Sequence, residues 1–316
     1  MTRSTEPLLI AENLTKHYKD VVALSDVTLS VSAGITGILG ENGAGKSTAI
    51  KIFLGLIHPT SGSTTVLGQD ASASVSVRAR LGYMPEHDCL PSQVTAAEFL
   101  THMAEVSGLP PSTARTRAAD TLRHTGLFEE RYRAIGGYST GMKQRVKLAQ
   151  ALVHDPRILF LDEPTNGLDP AGREEMLALV ERIGRDFGIT VIVASHLLGE
   201  IERIAGWLVA IDAGRLLRTA PLTDFTERTG QLLVETDEDA TALAARLIRR
   251  GMDASASGRT LVVDVASGGE REHAVEDAVR DEVIDLGLAL VRVEHRRHQL
   301  EDLFRGEAGG THDRVA

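Results

Sequence analysis

Cysteine is nearly missing from this 316-residue chain, and so is any long apolar run. The single Cys89 cannot close an intramolecular disulfide, so the fold does not rest on one. That usage suits a reducing compartment, and the lone thiol reads as incidental. No stretch approaches the roughly 18 apolar residues of a membrane span. The segment from Met1 to Pro7 is polar and lacks the apolar centre of a signal peptide. The expectation is a cytoplasmic protein that reaches a membrane only through a partner. Basic charge is also short: 34 Lys and Arg stand against 44 Asp and Glu, for a net charge of -10. Nonspecific nucleic-acid binding needs a basic surface to displace counterions, so no nucleic-acid partner is expected. What is present is ordinary globular material, 42% hydrophobic and 25% charged, in a length that predicts about two domains.

The most informative stretch is Gly40-Glu41-Asn42-Gly43-Ala44-Gly45-Lys46-Ser47-Thr48. It fits G-x-x-x-x-G-K-[ST]. Glycines let the backbone turn tightly and set its N–H groups against phosphate oxygens. The helix that follows adds its free N-terminal amides and positive dipole end. Lys46 can reach the β- and γ-phosphates, and the Ser47 hydroxyl can ligate Mg2+. The context agrees, because residues 35–39 read as a strand and 47–57 carry Ile50, Phe53, Leu54 and Ile57 at helical spacing.

Residues 8–12 and 21–31 predict antiparallel strands around a turn containing Lys19-Asp20. Tyr18, just before that turn, reads either as a strand aromatic in a small core or as a flat ring on which a base stacks. Pro59 to Ser63 marks a turn, Thr64 to Leu67 a short strand, and Leu81 to Met84 another that ends at Pro85. Glu86-His87-Asp88 follows as a polar loop. Residues 95–125 are helical in character. Thr95 and Glu98 have capping-box spacing, and Phe99, Leu100, Met103 and Val106 form one stripe. Ser112 is placed to cap a second helix, with Gly126 as its stop. Ile135 to Gly141 is another Gly-rich turn, opening a helix with Met142, Val146, Ala149, Leu152 and Val153 on one face.

Ile158-Leu159-Phe160-Leu161 is the continuous apolar run of a parallel strand buried on both faces. It ends in Asp162-Glu163, two adjacent acids that are costly to bury unless used. Asp169 suits the N-cap and Pro170 the first turn of the next helix. A second buried strand, 189–194, runs straight into Ser195-His196, at the edge where open α/β sheets bind ligands. Beyond Pro221 the composition changes. Strands at 231–235, 260–265 and 289–294, a weak strand near 253–257 and helices at 238–250 and 271–286 predict a small α+β unit. A last helix holds Leu300, Leu303 and Phe304, and the polar tail Gly306 to Ala316 is expected to be disordered.

In chain order these pieces are the phosphate loop, Glu86, a helical insertion, Tyr138-Ser139-Thr140-Gly141-Met142, the strand ending in Asp162-Glu163, Asn166-Gly167-Leu168-Asp169, and Ser195-His196. The order resembles the nucleotide-binding subunit of ATP-binding cassette (ABC) transporters, across residues 6–220. The stretch ending His298-Gln299-Leu300-Glu301-Asp302-Leu303-Phe304 resembles the C-terminal extension of ATPases of ABC-2-type exporters. The fold so implied is an α/β P-loop NTPase core with an antiparallel β subdomain and a helical insertion over about 88–155, within residues 1–220. A C-terminal α+β domain at 221–305 and the tail 306–316 follow.

The resemblance implies ATP and Mg2+ as cofactors. It assigns Gly40, Asn42, Gly43, Ala44, Gly45, Lys46, Ser47 and Thr48 to the phosphates, and Tyr18 to the adenine. Ser47, Asp162 and Glu86 are the expected metal ligands or partners. Glu163 is the expected general base, with Lys46 and His196 supporting it at the γ-phosphate. Ser139, Thr140 and Gly141 form the signature, which acts in trans on the nucleotide of a second ABC ATPase subunit, and Asp169 falls in the loop crossing that interface. A complete motif set permits a homodimer. The partner would be a separately encoded transmembrane permease docked through loop 86–100, holding the chain on the inner face of the membrane.

Two residues depart from the common pattern. Tyr138-Ser139-Thr140-Gly141-Met142 stands for Leu-Ser-Gly-Gly-Gln, and Glu86 stands for Gln. Both variants look like those of the ABC-2 subgroup. The competing reading is a soluble ABC ATPase acting on ribosomes or DNA, which usually has linked cassettes or long coiled-coil insertions. A generic P-loop kinase or GTPase leaves Ser139 and His196 unexplained.

Overall fold

The structure is a computed structural model describing residues 6–226, 228–264 and 270–297. The chain divides into two compact units after Leu222.

The first unit opens with a hairpin of β1 (Leu9–Tyr18) and β2 (Val21–Val31), then β3 (Ile35–Leu39) and α1 (Lys46–Phe53). β4 (Ser61–Val66), α2 (Val75–Arg78) and β5 (Leu81–Met84) follow. The insertion holds α3 (Ala96–Val106) and α4 (Pro111–His124) and leads into α5 (Thr140–Leu152). Next come β6 (Ile158–Asp162), α6 (Pro170–Asp186), β7 (Thr190–Ser195), α7 (Leu198–Ile204), β8 (Trp207–Asp212) and β9 (Arg215–Pro221). β2-β1-β4 is an antiparallel sheet, and the central sheet runs β5-β6-β7-β3-β8-β9 with only β9 antiparallel.

Strand register is what gathers the site. Leu39 lies opposite Ser195, and Asp162 opposite Ala194. The ends of β3, β6 and β7 therefore share one carboxyl edge, the ligand-binding edge of open α/β sheets. The apolar run in β6 is buried throughout, as strands covered on both faces require. Phe160 is fully buried and its ring stacks near Phe53 of α1, with centroids 6.5 Å apart. Phe160→Ala is expected to cost about 3–5 kcal/mol. A urea titration should show this as a lower midpoint at unchanged slope.

Some boundaries differ from the sequence expectation. α1 stops at Phe53 rather than near residue 57, because Gly55 turns the chain with φ 68 against the Ala71 carbonyl, where a Cβ would sit 2.7 Å from oxygen. β4 starts at Ser61, inside the expected turn, since Ser61 and Ser63 already pair with Thr15 and Glu12. α4 begins at Pro111, before Ser112. Proline at the first helical position loses no hydrogen bond, and its φ suits the helix. The Thr95–Glu98 capping box is formed. Of the stripe it opens, Leu100 is buried while Val106 is exposed.

The second unit holds α8 (Thr223–Thr226), β10 (Arg228–Thr236), α9 (Thr241–Arg249), β11 (Ala254–Ser257), β12 (Thr260–Asp264), α10 (Glu270–Leu286) and β13 (Leu290–Arg297). Its antiparallel sheet has the order β11-β12-β10-β13. Leu232, Val234, Leu243, Leu247, Leu261, Val263 and Val279 form the core. Buried Glu282 is paired with Arg246 at 3.0 Å and Arg250 at 2.7 Å, which satisfies a charge that burial would otherwise make expensive. The expected helix with Leu300, Leu303 and Phe304 and the tail 306–316 lie outside the described residues. Among the described residues, no helix is long and apolar enough to cross a membrane.

Candidate functional site

The loop after β3 is shaped by two glycines. Gly43 (φ 88) and Gly45 (φ 105) are left-handed, and a Cβ on Gly45 would sit 2.5 Å from the Ala23 carbonyl. Gly45 thereby sets the entry to α1, whose first amides have no partner inside the helix. A cleft of about 280 Å³ opens over them, lined by Asn42, Gly43, Gly45, Lys46, Ser47, Thr48, Glu86 and Glu163. Gly40 and Ala44 complete the loop. Ala44 is buried, and its N–H donates to the Glu41 carbonyl at 3.1 Å.

Lys46 is folded back on its own loop. Its Nζ donates to the carbonyls of Gly40 at 2.7 Å and Glu41 at 3.1 Å, and pairs with Glu163 Oε1 at 3.2 Å. Glu163 follows β6 with φ 50, an uncommon conformation for a side-chain-bearing residue. Its N–H donates to the Ala194 carbonyl, and its Oε2 lies 2.8 Å from His196 Nδ1. The two acids thus occupy different places. Glu163 faces a lysine and a histidine, while Asp162, 2% exposed, accepts from Ser47 Oγ at 3.0 Å. Burial pushes the Asp162 carboxyl above the usual range, with the Ser47 hydrogen bond opposing. The Tyr83 hydroxyl approaches Asp162 Oδ2 at 3.5 Å, and burial raises that phenol.

Glu86 is half-buried at the rim, where its Oε1 accepts from Asn166 Nδ2 at 3.4 Å. Buried Lys147 of α5 donates to the Glu86 carbonyl at 2.8 Å, and burial pulls its ammonium downward. Ser47 and Glu86 line the cleft and Asp162 accepts from the Ser47 hydroxyl, so the three offer hard oxygen donors of the kind Mg2+ takes.

The remaining predicted residues sit apart from this cleft. Ser139 caps α5, its Oγ accepting from the Met142 amide. Thr140 is the first helical residue, and Gly141 joins Ser139, Met142, Arg145 and Leu168 around a second pocket of about 210 Å³. Asp169 caps α6, with Oδ1 accepting from the Gly172 amide at 2.9 Å. The two pockets share no lining residue. Tyr18 lies at the hairpin tip opposite Val21, with Lys16 Nζ 5.1 Å from its ring centroid. The hairpin residues that line the cleft are Val21, Val22 and Ala23. Sequence reasoning named none of these, although exposed valines beside an aromatic at a strand turn were a usable signal. Lys147 and Tyr83 were also missed, since no local pattern marks them, and Asn166 was named only as part of the motif before α6.

This fold and this loop define a P-loop nucleotide-binding protein of the ATP-binding cassette type. A family profile described as "ABC transporter" matches residues 24–166. The bacitracin transport ATP-binding protein BcrA of Enterococcus faecalis is 31% identical over 310 residues, covering 96% of this chain and 97% of that relative. The linearmycin resistance ATP-binding protein LnrL of Bacillus subtilis (strain 168) is 31% identical over 311 residues, covering 96% and 99%. Among solved structures, the ATP-binding cassette MJ0796 in a dimeric post-hydrolysis state bound to ADP and Pi aligns with TM-score 0.62 at 25% identity, covering 68% of this chain and 98% of that one. The chain belongs to the ABC transporter family, as an ATP-binding ATPase subunit.

Proposed function

We propose that this chain is the ATPase of an ABC-2-type exporter, in which two copies close on two ATP molecules and their hydrolysis drives a separately encoded transmembrane permease. The observation that carries the reading is the division of the site. Within one chain, the Lys46 cleft and the Ser139–Gly141 pocket have no lining residue in common. A second copy can place its signature over the open side of the cleft. The dimeric form of MJ0796 supports this arrangement, and Asp169, at the exposed start of α6, is the residue expected at the shared interface.

The geometry and the family resemblance together support the following roles. The loop from Gly40 to Thr48 and the start of α1 hold the phosphates, and the hairpin tip with Tyr18 receives the adenine. Ser47, Asp162 and Glu86 would hold Mg2+, which neutralises phosphate charge when bound. Lys46 Nζ lies 3.2 Å from Glu163 Oε1. With Lys46 on the phosphates, the γ-phosphate lies beside Glu163. Glu163, steadied by His196 on its other oxygen, then takes a proton from the attacking water. The water oxygen bonds the γ-phosphorus as the bond to the bridging oxygen breaks, giving ADP and phosphate. Binding thus favours the closed dimer and hydrolysis the open one, a ligand-driven population shift.

Export is supported by the names of BcrA and LnrL, which concern bacitracin transport and linearmycin resistance in those proteins. Membrane attachment through loop 86–100 is tested by fractionating the native cells. The chain is expected to sediment with membranes and to copurify with a polytopic partner after mild detergent extraction. Recovery of all of it from the cytosolic fraction would contradict the assignment.

A further inference from the structure

Glu200, on α7, is a buried acid that is not among the residues lining the cleft. Its Oε2 accepts two hydrogen bonds of 2.8 Å, one from Thr165 Oγ1 and one from Ser195 Oγ. Its Oε1 is buried with no hydrogen-bond partner. Ser195 Oγ in turn accepts from the Leu197 amide at 3.0 Å, which fixes its direction. Thr165 is 2% exposed and Ser195 fully buried, so water does not compete for these bonds and each is stronger than a surface bond.

Position gives this network its meaning. Thr165 stands two residues after Glu163, and Ser195 one residue before His196. Glu163 and His196 meet at 2.8 Å, at the ends of the neighbouring strands β6 and β7. One carboxylate therefore spans both loops from behind. A carboxylate kept out of water is expensive, and a hydrophobic residue would fill the space at lower cost, so the acid points to a task other than packing.

We propose that Glu200 is a positioning residue that sets the spacing of Glu163 and His196. This inference rests on the assignment of Glu163 as the base. With the carboxylate removed, two buried hydroxyls lose their acceptor and turn elsewhere. Both loops then relax, and the base drifts from the attacking water. Errors of about 1 Å in such geometry cost on the order of a hundredfold in rate.

The experiment uses the full chain and measures ATP turnover, ATP affinity by calorimetry and thermal midpoint together. Glu200→Leu is expected to lower kcat between about tenfold and a hundredfold with ATP affinity unchanged. Glu200→Gln keeps an acceptor oxygen for both hydroxyls and should restore most of the rate. In a His196→Ala background, Glu200→Leu should cause little further loss, because the spacing it sets has lost one member. Where Glu200→Leu does not fold, Thr165→Val and Ser195→Ala each remove one donor and should each give a smaller fall. Wild-type kcat in Glu200→Leu, or an undiminished loss on the His196→Ala background, overturns the proposal while leaving Glu163 as the base. Full hydrolysis by Glu163→Gln instead overturns the assignment of the base, and this proposal with it.

Discussion

Glu163→Gln is expected to lower ATP turnover by about 10²–10⁴-fold while ATP still binds. The substitution is nearly isosteric, and Gln faces the same left-handed backbone demand at φ 50 as Glu. The change therefore tests proton transfer rather than folding. Gln can keep a hydrogen bond to His196 and cannot take a proton from water. It also removes the charge that pairs with Lys46 at 3.2 Å. One negative charge fewer beside the phosphates should leave ATP affinity equal to or tighter than wild type. Phosphate release under steady-state conditions, with calorimetry for affinity, separates the two effects. Unchanged release would remove Glu163 from the mechanism.

Lys46→Ala should act at the other step, on binding itself. Hydrogen bonds to charged groups contribute about 1.5–3 kcal/mol, which predicts ATP affinity roughly 10- to 150-fold weaker. The fold should suffer too. Glu163 is 5% exposed and would keep only His196 as a partner. Breaking a buried ion pair costs about 3–5 kcal/mol, with the remaining His196 contact moderating the loss, so the thermal midpoint should fall before any nucleotide is added. Wild-type affinity in a calorimetric titration would contradict the placement of Lys46 at the phosphates. An unchanged midpoint would contradict the Lys46–Glu163 ion pair.

What the sequence revealed of this site was local. The phosphate loop is legible because its glycines, lysine and hydroxyl lie within a few residues, between a strand and a helix. The buried run Ile158 to Leu161 and the Asp169-Pro170 helix start are legible for the same reason. The contacts that give these pieces their chemistry join distant residues, and no periodicity announces them. Ser47 meets Asp162 across 115 positions, Lys147 meets Glu86 across 61, and Thr165 meets Glu200 across 35. Each depends on sheet register and helix packing. The misplaced start of α4 has a simpler cause: Ser112 has the right chemistry for a cap, but Pro111 already fits the first turn and moves the start upstream. Val106 shows the limit of a helical stripe, since spacing puts it on the apolar face and the packing leaves it 67% exposed.

The central claim is that the Lys46 cleft of one chain is completed by the Ser139–Gly141 signature of another. Sedimentation of the Glu163→Gln chain with saturating ATP and Mg2+ tests it most directly, compared with the same chain carrying Ser139→Ala as well. The first is expected to be a dimer and the second a monomer, with both retaining bound ATP. A monomer in both cases, or a dimer indifferent to Ser139→Ala, would contradict it.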